Sequence, residues 1–167
     1  EGTRPGLPVG YVDLAGYFAW EPEDLVILAG CPSTGKTALG LNFALQTGRA
    51  GHWVGIFSLE MSRERLMRRL LANVGSINGE RINQVRMTPA EWVSLQEAQA
   101  EIEELPIWID GPPVLSISQL RVQARREWTR GRLDFLIVDY LQRIRPATQG
   151  RSREEEGAEI ARGLKAL

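Results

Sequence analysis

Gly30-Cys31-Pro32-Ser33-Thr34-Gly35-Lys36-Thr37 spells G-x-x-x-x-G-K-[ST] without a mismatch, and what that octapeptide needs on either side decides the fold. Its glycines let the backbone turn tightly, so that successive N–H groups converge on an anion. Lys36 is long enough to reach the outer phosphates of a nucleotide, and the Thr37 hydroxyl is placed to ligate Mg²⁺. The pattern carries weight only between a strand and a helix. Before it, Leu25-Val26-Ile27-Leu28-Ala29 is an apolar run that reads as a buried strand. After it, Thr37 to Thr47 has apolar residues at helical spacing and meets Gly48, the expected C-cap. The positive end of that helix then faces the phosphates.

Working outward, strands and helices alternate. Trp53 to Ser58 reads as a strand, and Ser62 caps a basic helix from Arg63 to Asn73. Thr88-Pro89-Ala90-Glu91 is a capping box with Pro at the first helical position, opening a helix to about Leu105. Pro106 to Asp110 is a short strand, Ser116-Ile117-Ser118-Gln119 a second capping box for a helix to Trp128, and Leu133 to Asp139 an apolar strand ending in an acid. This alternation predicts an α/β fold, a mainly parallel sheet with helices on both faces. Residues 1–24 form a Gly/Pro-rich lead-in with a short helix near Val12 to Tyr17, and residues 25–167 are the domain proper.

Composition narrows the class. In 167 residues, 43% hydrophobic and 25% charged content is that of a soluble globular domain with a real core. The net charge of −1 gives no global basic signature, so any nucleic-acid contact must come from a local patch. Cys31 is the single cysteine, which rules out an intrachain disulfide and fits a reducing, cytoplasmic setting. No apolar run approaches the ~20 residues that span a bilayer. The chain starts at Glu1, and its last helical pattern, Glu154 to Leu167, has no stop signal, so it reads as an excerpt of a longer protein.

Two acids can complete a phosphate site. Phe135-Leu136-Ile137-Val138-Asp139 has the form of an apolar strand delivering a Mg²⁺-holding Asp at its carboxyl edge, although a buried strand ending in a turn Asp has the same form. Glu60 follows the second strand, where a carboxylate could polarise an attacking water; a helix-start Glu near Ser62 fits the residues equally. Arg143, Arg145, Arg151 and Arg153 punctuate a Pro- and Gly-containing stretch suited to phosphate contacts, and equally suited to a solvated loop beside Glu154 to Glu156. Arg63, Arg65, Arg68 and Arg69 read as a solvated helix face. Arg121, Arg125 and Arg126 spread over an amphipathic helix, His52 has no metal-ligand spacing around it, and the five Trp read as core packing.

Gly30 to Thr37, Phe57-Ser58-Leu59-Glu60-Met61-Ser62 and Asp139-Tyr140-Leu141-Gln142 together resemble the RecA-like motor domain of bacterial DnaB-type replicative helicases. Leu7-Pro8 with Gly10 and Leu14, Pro32-Ser33, and Leu164 to Leu167 fit the same pattern. The resemblance implies a RecA-like P-loop core that binds ATP through Gly30, Cys31, Pro32, Ser33, Thr34, Gly35, Lys36, Thr37 and Ala38. It also implies Mg²⁺ held by Thr37 and Asp139, and catalysis by Lys36 with Glu60 as base. The loop after the fourth strand is expected to line a ring channel, with Arg145, Gly150, Arg151 and Arg153 on single-stranded DNA. A homo-hexamer is implied for the full-length protein, with primase and a helicase loader as candidate partners and no membrane. A recombinase-type ATPase, or a ring-assembly module that binds nucleotide without hydrolysis, are the alternatives. The family's sensor glutamine and arginine finger fall beyond Leu167, so weak hydrolysis is expected of this stretch alone. Cys31 and Thr34 stand where the family usually has Arg and Met, Trp20 and Glu21 where it is more Gly-rich, and Gly157 where it has an apolar residue.

Overall fold

The computed structural model of the chain describes residues 6–11, 13–14, 19–111, 115–145 and 152–167. Helix α1 (Lys36–Arg49) leads to strand β1 (Val54–Ser58), then α2 (Arg63–Val74), α3 (Gly79–Asn83) and α4 (Pro89–Glu104). Next come β2 (Ile107–Asp110), β3 (Leu115–Ser116), α5 (Ile117–Thr129), β4 (Phe135–Asp139), a 3₁₀ turn (Leu141–Arg143), β5 (Ile144–Arg145) and α6 (Arg153–Lys165). The main sheet runs β2-β1-β4, all parallel, and β3 pairs with β5 in a small second sheet.

The alternation of side chains fixes the register. Val54, Ile107 and Phe135 share one row and Ile56, Ile109 and Ile137 another. These rows pack with Leu41, Leu45, Leu66, Leu70 and Ile102 of α1, α2 and α4. The intervening residues Phe57, Trp108, Leu136 and Val138 face the opposite way, onto Leu120 and Ala124 of α5 and Ile160 and Leu164 of α6. β1 is buried at every residue, as the middle strand of a two-sided layer must be. A slip of one residue would turn both faces inside out.

Two predicted details need correction. Leu25 to Ala29 forms no strand: Leu25, Val26, Ile27 and Leu28 are 37, 44, 60 and 47% exposed, and no ladder pairs them. A doubly buried strand needs a partner and cover on both faces, and among the described residues this run has neither. Gly48 is no cap but a buried residue inside α1; the left-handed glycine past the helix end is Gly51, at φ 86°, after the C-cap Ala50. Trp92 and Trp128 also depart from the core-packing expectation, at 43 and 68% exposure. Most of the predicted helix near Val12 to Tyr17 lies outside the described residues.

The lead-in is packed on α1. Val9, Trp20 and Phe43 form a small core, Trp20 meets Phe43 edge-on at 5.2 Å, and Thr47 Oγ1 donates to Pro8 O at 3.1 Å. The Thr88–Glu91 box forms as expected: the Thr88 N–H donates to Glu91 Oε2 at 2.7 Å and holds that carboxyl below the usual carboxylate range. What it adds to the start of α4 is therefore present at neutral pH and fades as pH falls through that lowered value.

Two glycines of α6 separate propensity from packing. A Cβ on Gly157 meets open space, so Gly157→Ala should raise unfolding stability by about 1 kcal/mol. A Cβ on Gly163 would lie 2.5 Å from Ile117 Cγ1, so Gly163→Ala should lower it by about 1–3 kcal/mol. Urea denaturation of the two variants should move the midpoint in opposite directions.

Candidate functional site: a phosphate cradle at the carboxyl edge of the sheet

Five of the described helices start under a side-chain cap: Ser62, Asn78, Thr88, Ser116 and Ser152 each accept from a first-turn N–H. Helix α1 does not. Its N-cap is Gly35, at φ 92°, with no side chain to offer. From Ser33 to Ala38 no backbone N–H donates to an acceptor among the described residues, and the first to do so is Leu39, to Gly35 O at 2.9 Å. A helix N-terminus left with free donors and a positive dipole end is an anion site.

The loop holds its own shape. Thr34 Oγ1 donates to Cys31 O at 2.8 Å, and Ser33, at φ 63°, makes the reversal. Lys36 Nζ folds onto Gly30 O at 2.8 Å and Cys31 O at 2.7 Å. Those carbonyls hold the ammonium at the mouth of the loop. Cys31 takes part through its carbonyl alone, whereas the Thr34 hydroxyl helps to hold the loop.

Across the site, Thr37 Oγ1 donates to Asp139 Oδ2 at 2.7 Å, joining residues 102 apart in sequence. Asp139 is the last residue of β4, in register with Ser58 at the end of β1, and Leu59 N donates to Asp139 O at 2.8 Å. Beyond it the chain turns at Ser58, whose Oγ donates to Met61 O at 2.7 Å. That turn delivers Glu60 to the same carboxyl edge, exposed, with no hydrogen bond or ion pair to a described residue. Hydroxyl and carboxylate oxygens are what Mg²⁺ takes, and free N–H groups are what phosphates take, so the residues present fit both.

The structure thus brings together Gly30 to Ala38, Asp139 and Glu60. It places Arg145 apart from them, exposed on β5, and Arg153 at the first position of α6. Gly150 and Arg151 lie outside the described residues. Sequence reasoning missed the Ser58 turn that presents Glu60; a small hydroxyl residue ending a buried strand was its signal.

Lys36→Ala should weaken binding of a fluorescent ATP analogue by about a hundredfold, as removal of a charge-assisted contact of roughly 3 kcal/mol would. Cys31→Ala should leave it unchanged, because only the Cys31 carbonyl is used. Equilibrium titration of both variants checks this.

Comparisons with known proteins show the family and the fold. The family model of the DnaB-like helicase C-terminal domain matches residues 6–167. The replicative DNA helicase DnaB of Geobacillus stearothermophilus is 35% identical over 170 residues, which cover 100% of this chain and 37% of that protein. That of a Nostoc species is 39% identical over 167 residues, 98% of this chain and 19% of the relative. The chain therefore spans little more than a third of such relatives at most. A solved DnaB-like replicative helicase, studied with its interactions with primase, superposes with a TM-score of 0.90 at 29% identity, over 99% of this chain and 41% of that one. The ATPase domain of G40P superposes at 0.87, also 29% identical, over 96% of this chain and 58% of that one. The fold is the RecA-like P-loop core, and the chain belongs to the DnaB-like helicase C-terminal domain family.

Proposed function

We propose that this chain is the ATP-driven motor of a replicative DNA helicase, coupling ATP hydrolysis to movement along single-stranded DNA and duplex unwinding. The observation that carries this reading is the Thr37–Asp139 hydrogen bond beside the uncapped start of α1, in a member of this family. ATP is the substrate, its phosphates received by the backbone N–H groups from Ser33 to Ala38. Lys36 leaves the carbonyls of Gly30 and Cys31 to neutralise charge on the outer phosphates. Thr37 and Asp139 would hold Mg²⁺, which would supply charge neutralisation at the phosphates. Glu60, without another partner among the described residues, orients the attacking water and takes its proton.

Arg145, Gly150, Arg151 and Arg153 contact the phosphates of the strand, which holds DNA without reading its sequence. Support for this is the sequence pattern and the exposure of Arg145 at the entry of the loop. The assembly is a homo-hexamer in the whole protein, with primase and a loader as partners. The neighbour solved with its interactions with primase favours the first of these. A lead-in of residues 1–24 and a motor core of 25–167 divide the chain.

Two measurements on the full-length protein test the reading. Single-stranded DNA should stimulate ATP hydrolysis in the wild type, and Glu60→Gln should cut turnover by about 10²-fold or more while nucleotide binding persists. Hydrolysis that DNA does not stimulate would count against the helicase reading, and no hydrolysis at all would leave the nucleotide-binding assembly module as the better account. Arg151→Ala with Arg153→Ala should flatten the salt dependence of single-strand binding by about 0.7 per contact removed. An unchanged slope would place the DNA elsewhere.

A further inference from the structure

On the side of the sheet away from α1, a cavity of about 390 Å³ opens between the outer strand β2 and helix α5. Its floor is apolar. Trp108 lies across Gly55, where even a Cβ would come within 2.2 Å of the indole, and meets Phe57 edge-on at 5.3 Å. Trp53 continues that floor. The wall from α5 carries Gln123, whose Oε1 is buried without a hydrogen-bond partner among the described residues.

The rim is basic. Arg63, Arg126, Arg130 and Arg132 surround the opening, against the carboxylates of Asp110 and Glu127. Those acids do not balance the rim. Glu127 Oε1 receives both Arg126 and Arg130, each at 3.1 Å, so one carboxylate serves two guanidinium groups. Asp110 Oδ1 accepts the Gly111 N–H at 2.9 Å. Arg63 and Arg132 have no ion pair with any described residue; Arg132 instead sits over the Trp53 ring at 5.7 Å. Guanidinium groups in a fixed fork match carboxylates in geometry as well as charge.

The third feature is backbone. β2 pairs only with β1, so the other edge of Ile107–Asp110 has no strand beside it among the described residues. An added strand there would bond its main chain to β2 and send alternate side chains toward the cavity.

We propose that this groove is a docking site for an extended acidic segment of a partner protein, pairing with β2, with its carboxylates on the arginine rim and one aromatic or large aliphatic side chain in the cavity. A nucleic-acid strand fits less well. Base stacking needs an open aromatic face, whereas Trp53 already carries Arg132 and Trp108 lies on Gly55 with its Nε1–H on Arg132 O at 3.0 Å. The site is separate from the phosphate cradle and does not depend on its reading.

The probe is a short fluorescein-labelled peptide in which acidic and apolar residues alternate around a single Phe, titrated against the full chain by fluorescence anisotropy. Micromolar binding is expected, weakening several-fold as salt rises through the range where the Debye length shrinks to about 8 Å. Arg63→Glu with Arg132→Glu should weaken it by about tenfold or more, with binding of a fluorescent ATP analogue unchanged as the check on folding. Replacing the peptide's Phe with Ala should weaken it further. No binding, binding indifferent to salt in the wild type, or binding unaltered in the charge-reversed variant would overturn the proposal. So would displacement of the peptide by oligothymidylate that itself fails to bind the variant, because the groove would then belong to nucleic acid.

Discussion

The hydrogen bond from Thr37 to Asp139 is the contact on which the rest of the arrangement turns. It ties the first turn of α1 to the last residue of β4, and it can form only if both arrive at one edge of the sheet. That arrival depends on β4 lying beside β1 with Asp139 opposite Ser58. The register is held in turn by two apolar layers that a one-residue slip would invert. Packing energy spread over many aliphatic side chains is thus converted into the placement of one hydroxyl and one carboxylate.

A second constraint is what the chain leaves unsatisfied. Five of the described helices close their first turns with a serine, threonine or asparagine side chain, each worth about 1 kcal/mol. Helix α1 forgoes that contribution, and its cap is a glycine in the left-handed region. Its free donors are useful only if something else binds them. The Lys36 ammonium, resting on loop carbonyls, is likewise in a temporary partnership that a phosphate can displace. Local stability is lower at this uncapped helix start and is restored elsewhere by capping and core.

Much of this was legible in the residues, for identifiable reasons. The octapeptide, the capping boxes at Thr88 and Ser116, and the apolar run into Asp139 are local signals, and each formed where expected. Leu25 to Ala29 misled because apolar content reports a wish for burial and says nothing of whether a partner strand is at hand. Gly48 misled because a glycine in a helix can serve close packing: a Cβ there would crowd Ile107 at 3.0 Å. The basic helix of Arg125 and Arg126 gave no hint of the cavity beside it, since that cavity is made by Gly55, Trp108 and Gln123, brought together only by the sheet. Glu60 could be placed on the sheet edge from its neighbours, but the turn that presents it rests on a local Ser58 hydroxyl bond that the residue types only hinted at.

The central claim is that Thr37 and Asp139 act as one unit, and a double-mutant cycle tests it most directly. Mg²⁺-dependent nucleotide affinity would be measured for Thr37→Val, Asp139→Asn and the pair together. If the two share one ion, the double variant should lose little more than the worse single variant, leaving a coupling of at least about 1 kcal/mol. Losses that simply add, or an affinity indifferent to Mg²⁺ in the wild type, would contradict the account.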